Sequence, residues 1–144
     1  MAELIQGRIV VAGVGEGPLL VSTEPLSFWG GYDARTGEII DRRHPLSSRI
    51  AAGCILAMPC TIGSSTTTAV LLEAVRAGTA PAAILTAGVD SFLALASIIA
   101  EEMYARPIPL IALTDAQLAK LQSGLHASVN HDGTVITGAR APSC

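Results

Sequence analysis

Aromatic side chains are nearly missing from this chain: two Phe, two Tyr and one Trp make up 3% of its 144 residues. The core must therefore be packed from Ala, Val, Leu and Ile, which favours helices lying close on a sheet. Charge is scarce as well, at 15%, yet half of the residues are hydrophobic. That balance excludes a disordered chain. Basic clusters are absent apart from the local pair Arg42 and Arg43, and the net charge is −3. The electrostatic footprint of a nucleic-acid binder is thus missing. No run reaches the roughly 18 apolar residues that cross a bilayer; the longest, around 79–100, is interrupted by Pro81, Asp90 and Ser91. The N-terminus has no basic segment ahead of its short apolar run, so no signal peptide is read. These absences lead to the expectation of a soluble, cytoplasmic protein with no nucleic-acid or membrane partner.

Cysteines are few and odd in number. Cys54, Cys60 and Cys144 have no framework spacing and read as free thiols in a reducing compartment. There is no C-x-x-C, and His126 and His131 stand five apart, which is not a ligand spacing, so no metal site is expected within the chain. So little charge over so much apolar content makes an apolar surface docked on a partner a reasonable expectation.

What is present has a clear order. GRIVVAG (7–13) reads as a strand, GVGEGP (13–18) as a Gly-rich loop and LLVSTE (19–24) as a second strand. PLSFWGG (25–31) is a loop holding the single Trp, and short extended pieces flank the Thr36-Gly37 turn. CILAMP (54–59) is a buried strand. AVLLEAVRAG (69–78) has apolar residues at helical spacing and ends at Gly78, a C-cap residue. AAILTA (82–87) and IPLIAL (108–113) are strands on either side of a helix over 89–105, capped by Asp90 or Ser91 and stopped by Pro107. A short helix over 114–122 and a strand segment over 128–137 with an Asp-Gly turn complete the chain. A β-rich first third followed by alternating strands and helices predicts one α/β domain, of β/β/α type with a parallel sheet, over residues 1–144.

Two glycine-bearing stretches invite ligand readings. GVGEG lacks the third Gly of the dinucleotide fingerprint, because Pro18 stands there and a strand follows, so a hairpin loop is the reading. The second stretch is more unusual: Gly63 is followed by five hydroxyl side chains, Ser64, Ser65, Thr66, Thr67 and Thr68, and then by the helix. It is not a phosphate-binding P-loop, since it has no lysine. One hydroxyl can cap a helix beginning near Thr67, which leaves the others unexplained. A helix N-terminus after a strand and a glycine also offers free N–H groups and a positive dipole end, able to hold an anion or assist a serine alkoxide. From the residues alone, a cap and an anion or catalytic site both stay open. His44, before Pro45, reads as a buried structural histidine, and no G-x-S-x-G elbow is present.

Two longer stretches carry a resemblance. PLSFWGGYDARTGEIIDRRHPLSSRIAAGCILAMP (25–59), followed by GSSTTTAVLLEAVRAGTAPAAILTAGVDSFLALASIIAEEMYARPIPLI (63–111), resembles the small subunit, or swivelling domain, of aconitase X. The resemblance covers roughly residues 5–140 and rests on the block S-F-W-G-G-x-D-x-x-T-G-x-I-I-D-x-x-H-P-L and its spacing to M-P and G-S. It implies the swivelling β/β/α fold of the aconitase superfamily. It also implies a separate large subunit that carries an iron–sulfur cluster, with no cofactor on this chain, and hydro-lyase activity only when the two are together. Bacterial enzymes of this kind dehydrate cis-3-hydroxy-L-proline to Δ1-pyrroline-2-carboxylate, and archaeal ones dehydrate mevalonate 5-phosphate.

The family's motif at the strand–helix junction reads like G-R-G-S, with its serine as proton acceptor. Matched residue by residue, Gly63 and Ser64 are its final G-S, Ile62 replaces its arginine and Thr61 its first glycine. The resemblance therefore implies Ser64 as the catalytic base, and Gly63, Ser65, Thr66 and Thr67 as substrate-binding residues. Loss of the arginine argues against a phosphorylated substrate; neutral hydroxyls remain to bind a carboxylate. Phe28, Trp29, Gly30, Gly31, Asp33 and His44 are read as structural or interface-forming, with Trp29 as an anchor. The substrate expected is a small hydroxy acid, cis-3-hydroxy-L-proline first and mevalonate 5-phosphate second. A non-catalytic docking or regulatory domain is the alternative of another class.

Overall fold

The computed structural model describes residues 3–63 and 65–140. The chain enters as one extended run bent at Gly7. Its first half, β1 (Glu3–Gln6), pairs antiparallel with β12 (Thr134–Arg140); its second half, β2 (Arg8–Val11), pairs antiparallel with β10 (Leu110–Leu113). These partners lie near opposite ends of one eight-stranded sheet, ordered β1-β12-β11-β3-β7-β9-β10-β2, with β3 (Gly15–Val21), β7 (Ile55–Met58), β9 (Ala83–Ala87) and β11 (Leu125–Val129) between them. The run through Gly7 therefore joins the two edges, and the sheet nearly closes on itself. Gly7 is required there because a Cβ would drive into Ile111 Cγ2. Its N–H donates to the carbonyl of Gly133 at 3.0 Å. Bringing the two edges together in this way leaves only short edge strands, which limits the addition of other chains.

β3, β7, β9 and β10 run parallel; α1 (Ser65–Ala77) and α2 (Ser91–Tyr104) cover one face of them, and Leu118 of the short α3 (Asp115–Ala119) packs against the other. Strand residues alternate between two cores, as the two-residue strand period requires. Leu19, Ile55, Ala57, Leu85 and Ile111 point into the nearly closed sheet and meet Ile5, Val129 and Val135. Leu20, Leu56, Met58, Ile84 and Leu110 point outward, under α1 (Ser65–Ala77) and α2 (Ser91–Tyr104), against Leu71, Ala74, Leu93 and Ala96. Burying one such Leu or Ile contributes about 2 kcal/mol, so the two cores together outweigh any single polar contact in holding the fold.

Local signals place the helix ends. Gly78 has φ +79°, the left-handed conformation that closes α1. Asp90 caps α2 by accepting the N–H of Leu93, and Ala105 (φ 54°) ends it. Ser97 Oγ donates to the carbonyl of Ile108 and accepts its N–H, tying α2 to the entry of β10. The short α3 (Asp115–Ala119) carries a capping box between Thr114 and Gln117. Two small sheets complete the β-rich part: β4 (Leu26–Ser27) beside β8 (Thr61–Ile62), and β5 (Tyr32–Asp33) beside β6 (Glu38–Ile39).

Three expectations are corrected. The Gly-rich loop at 13–18 is largely strand: Gly15 and Gly17 pair with Val129 and Ala127 in β3. A Cβ on Gly15 would lie 2.5 Å from the carbonyl oxygen of Ala82, so the glycine serves close backbone approach and not a hairpin turn. The hydroxyl run does not precede the helix, because α1 already begins at Ser65; hydroxyl residues rank low in helix propensity, but tertiary packing overrides it. Finally, Cys54 is buried and disulfide-bonded, so the three cysteines are not all free; Cys60 is free and exposed.

Candidate functional site

The site expected from the sequence lies where the parallel strands β7 and β9 reach their C-terminal ends, the usual place for ligands in an α/β sheet. Beyond β7 the chain passes Pro59 and Cys60, forms β8 and turns at Gly63 into α1. Beyond β9 it turns at Gly88 and Val89 into α2. Several bonds hold these two crossings side by side. The N–H of Ala87 donates to the carbonyl of Pro59 at 3.0 Å. Asp90 Oδ2 accepts both the N–H (2.8 Å) and the Oγ1–H (2.6 Å) of Thr61, while its Oδ1 accepts the N–H of Leu93 at 3.2 Å. One carboxylate thus caps α2 and fastens β8. The sequence showed only the cap; the second role depends on two loops meeting.

The five hydroxyls have different fates. Ser64, the expected base, lies outside the described residues. Ser65 opens α1. Thr66 is exposed and faces a groove. Thr67 is fully buried, and among the described residues its Oγ1 has no hydrogen-bond partner. Thr68 is buried and donates to the carbonyl of Phe92 at 2.9 Å, joining α1 to α2. Gly63 is exposed with φ +119°, a conformation open to glycine, and a Cβ built there would lie 3.7 Å from both Thr66 Oγ1 and Thr67 Oγ1. Gly63, Thr66 and Thr67 thus lie close together at the start of α1. Thr67 is not open to solvent.

An apolar rim surrounds this helix start. Ile62, opposite Ser27 in the β4–β8 pair, is 55% exposed, and Val89, next to Asp90, is equally so. Phe92 is also exposed for a large apolar side chain. Trp29 is 70% exposed and lines a groove of about 500 Å³ with Ile40, Thr66, Ala69, Val70 and Glu73. Phe28 and Tyr32 form its floor, with stacked rings 5.0 Å apart. The Tyr32 hydroxyl donates to the carbonyl of Thr79 at 2.8 Å, and burial pushes its pKa upward. At the groove's margin the N–H of Arg35 holds the Asp33 carboxyl below the usual range. Glu73 is paired with Arg76 one turn further along α1.

His44 takes the structural place expected of it. Its Nδ1 accepts the N–H of Leu46 at 3.1 Å and its Nε2 lies 3.3 Å from Ser22 Oγ. His131 is exposed and His126 half-buried. Among the described residues no three His, Cys, Asp or Glu side chains are close enough to hold a metal ion. The donor set of the described chain therefore does not fit a metal cluster.

A nearly closed mixed sheet with α1 and α2 on one face, and a hydroxyl-rich helix start at the C-terminal strand ends, defines a swivel-type α/β domain. The chain belongs to the aconitase X swivel domain family, whose model matches residues 4–137. It is 50% identical over 112 residues to cis-3-hydroxy-L-proline dehydratase of Pseudomonas aeruginosa, a match covering 78% of this chain and 19% of that protein. It is 43% identical over 93 residues to the phosphomevalonate dehydratase small subunit of Methanothermobacter thermautotrophicus, covering 65% of this chain and 71% of that subunit. A crystal structure of Thermococcus kodakaraensis aconitase X in its holo form superposes with a TM-score of 0.84 at 31% identity, covering 94% of this chain and 98% of that one. The chain spans about one-fifth of the length of the cis-3-hydroxy-L-proline dehydratases it matches.

Proposed function

We propose that this chain is the small subunit of a two-subunit hydro-lyase that dehydrates cis-3-hydroxy-L-proline to Δ1-pyrroline-2-carboxylate, with Ser64 as proton acceptor. The observation that carries the reading is the 50% identity to a cis-3-hydroxy-L-proline dehydratase, combined with Ile62 in place of a basic side chain at the mouth of the site. A phosphate calls for Arg or Lys there; the hydroxyls of Thr66 and Ser65 suit a carboxylate.

The reaction removes the proton on the carbon bearing the carboxylate and expels the neighbouring hydroxyl as water; the resulting enamine tautomerises to the imine. Ser64 immediately precedes Ser65, the first residue of α1, and helix N–H groups and a dipole at such a position favour the alkoxide that takes the proton. An iron–sulfur cluster on the large subunit supplies the Lewis acid for the leaving hydroxyl. Base and Lewis acid on separate bodies make turnover depend on closure of the swivel domain, which also excludes water. The exposed Trp29, Ile62 and Val89 supply the apolar rim that meets the large subunit.

The second reading, the small subunit of a mevalonate 5-phosphate dehydratase, is favoured by the 71% of such a subunit that this chain covers at 43% identity. The test is to co-express the chain with its large subunit, assay both substrates, and repeat with Ser64→Ala. The expected result is turnover of the hydroxyproline and a loss of roughly a thousandfold or more in the variant, since a general base contributes about 10²–10⁴-fold. Near-wild-type turnover by Ser64→Ala would point instead to a non-catalytic docking domain.

A further inference from the structure

A second cavity, of about 400 Å³, opens at the C-terminal ends of the parallel strands β9 and β10. It is bounded by Gly88 and Val89 after β9, by Thr114 and Gln117 after β10, and by Gln6 and Arg8 on either side of the Gly7 bend. This end of a parallel sheet is where α/β folds bind ligands, and the volume lies within the range of small-molecule sites, about 300–1,000 Å³. No described residue of the hydroxyl run lines it. Its amide side chains are already committed. Gln117 Nε2 donates to the carbonyl of Gln6 at 2.9 Å, and its Oε1 accepts the N–H of Thr114 at 2.9 Å. Gln6 Nε2 donates to the carbonyls of Gly7 and Asp132 at 3.1 and 3.0 Å. Arg8 is the exception. Its guanidinium makes no hydrogen bond or ion pair among the described residues, whereas Arg35 and Arg76 each pair with a carboxylate. None of the residues lining the cavity is acidic. The acids close by are turned elsewhere: Asp132 Oδ1 accepts the N–H of Thr134 at 2.9 Å, and Asp115 lines a different cavity with Val21 and Pro59.

We propose that this cavity is a ligand site outside the hydroxyl run, which holds a small organic carboxylate on the Arg8 guanidinium. A cleft lined by one sign of charge, with apolar walls, focuses the field of that charge and raises the local concentration of its counter-ion. Arg8 presents the planar fork that matches a carboxylate, and Val89, Ala112 and Leu113 supply apolar wall for the carbon body attached to it. One guanidinium, with the neighbouring amide donors already used, suits a monoanion; a phosphate calls for more donors than remain. The hydrogen bonds among Gln6, Thr114 and Gln117 hold the cavity's shape in advance, so little ordering is needed when a ligand enters. The site goes beyond the dehydratase reading and does not depend on it: a complex that turns over no hydroxy acid leaves it standing.

The experiment titrates the ¹⁵N-labelled full chain, free and assembled with its large subunit, at fixed ionic strength. The probes are propionate, its neutral counterpart propionamide, and inorganic phosphate. Propionate is expected to give saturable shifts at the Arg8 Nε–H and at the Gly88 and Val89 amides in both states, and propionamide none. Arg8→Gln is expected to weaken propionate binding about tenfold or more, the equivalent of one hydrogen-bonded charge pair. Arg8→Lys should weaken it less, because it keeps the charge and loses only the fork. Arg8 is exposed and unbonded among the described residues, so both variants should melt within about 2 °C of wild type. No saturable shift, an equal response to propionamide, or unchanged affinity in Arg8→Gln would overturn the proposal. Tighter binding of phosphate than of propionate would overturn the carboxylate assignment. A response present in the free chain and lost on assembly would give Arg8 to an acidic side chain of the large subunit, and would overturn the free-ligand reading.

Discussion

The carboxylate of Asp90 lies 2.6 Å from the Thr61 hydroxyl and 2.8 Å from the Thr61 N–H, and so locks β8 to the start of α2. The same side chain caps that helix through Leu93. Asp90→Ala removes a cap worth about 1 kcal/mol and leaves the half-buried Thr61 N–H without its partner, at a further cost of about 1–3 kcal/mol. We expect a loss of about 2–4 kcal/mol in chemical denaturation. Asp90→Asn, which keeps one acceptor oxygen, should lose less than half as much. Equal losses would show that the lock contributes nothing beyond charge.

Ile62 is mostly exposed, so a substitution there should leave the fold within about 0.5 kcal/mol of wild type. Ile62→Arg places a guanidinium at the mouth of the site, suited to a phosphate. The ratio of kcat/KM for mevalonate 5-phosphate to that for cis-3-hydroxy-L-proline is expected to rise about tenfold or more. An unchanged ratio would mean that this position does not select the substrate.

Sheet closure depends on Gly7. Gly7→Ala forces a methyl group against Ile111 and Leu113, and overpacking of this kind costs about 1–3 kcal/mol. Gly138, where nothing lies within 4 Å of an added Cβ, is the control: Gly138→Ala should be neutral or slightly stabilising. Urea midpoints of the two variants separate these outcomes.

Acid should weaken the fold through Asp33 and Asp132. Backbone and side-chain donors, chiefly the Arg35 N–H for Asp33 and the Thr134 hydroxyl for Asp132, hold both carboxyls below their ordinary value. A depressed folded-state pKa means that the stabilisation is fully present above the unfolded value of about 4 and disappears as pH falls through the folded one. Asp33→Asn and Asp132→Asn should each flatten the acid limb of a melting-temperature profile. Tyr32 acts at the other end: burial raises its pKa, so its contribution is present below about pH 10 and lost as pH rises beyond. Tyr32→Phe should flatten the alkaline limb.

Much of the site was legible in the sequence because its signals are local. Gly63 followed by hydroxyls and an apolar helical repeat marks a strand–helix turn wherever it occurs, and Asp90 before an apolar helix marks a cap. The different fates of the hydroxyls were not legible. Thr66, Thr67 and Thr68 are adjacent and chemically alike, yet one faces a groove, one is sealed with no partner among the described residues and one bonds Phe92. A turn of 100° per residue around α1 and the position of α2 decide which is which.

The sequence by itself determined the alternation of strands and helices, the helix caps and the small-residue core, because each follows from spacing, turn chemistry or composition within a few residues. Only the tertiary structure decided that Gly15 and Gly17 lie in a strand, that the Gly7 bend joins the two ends of the sheet, and that Asp90 holds Thr61. Those outcomes depend on the close approach of backbone segments far apart in the chain, and local propensity carries no information about it.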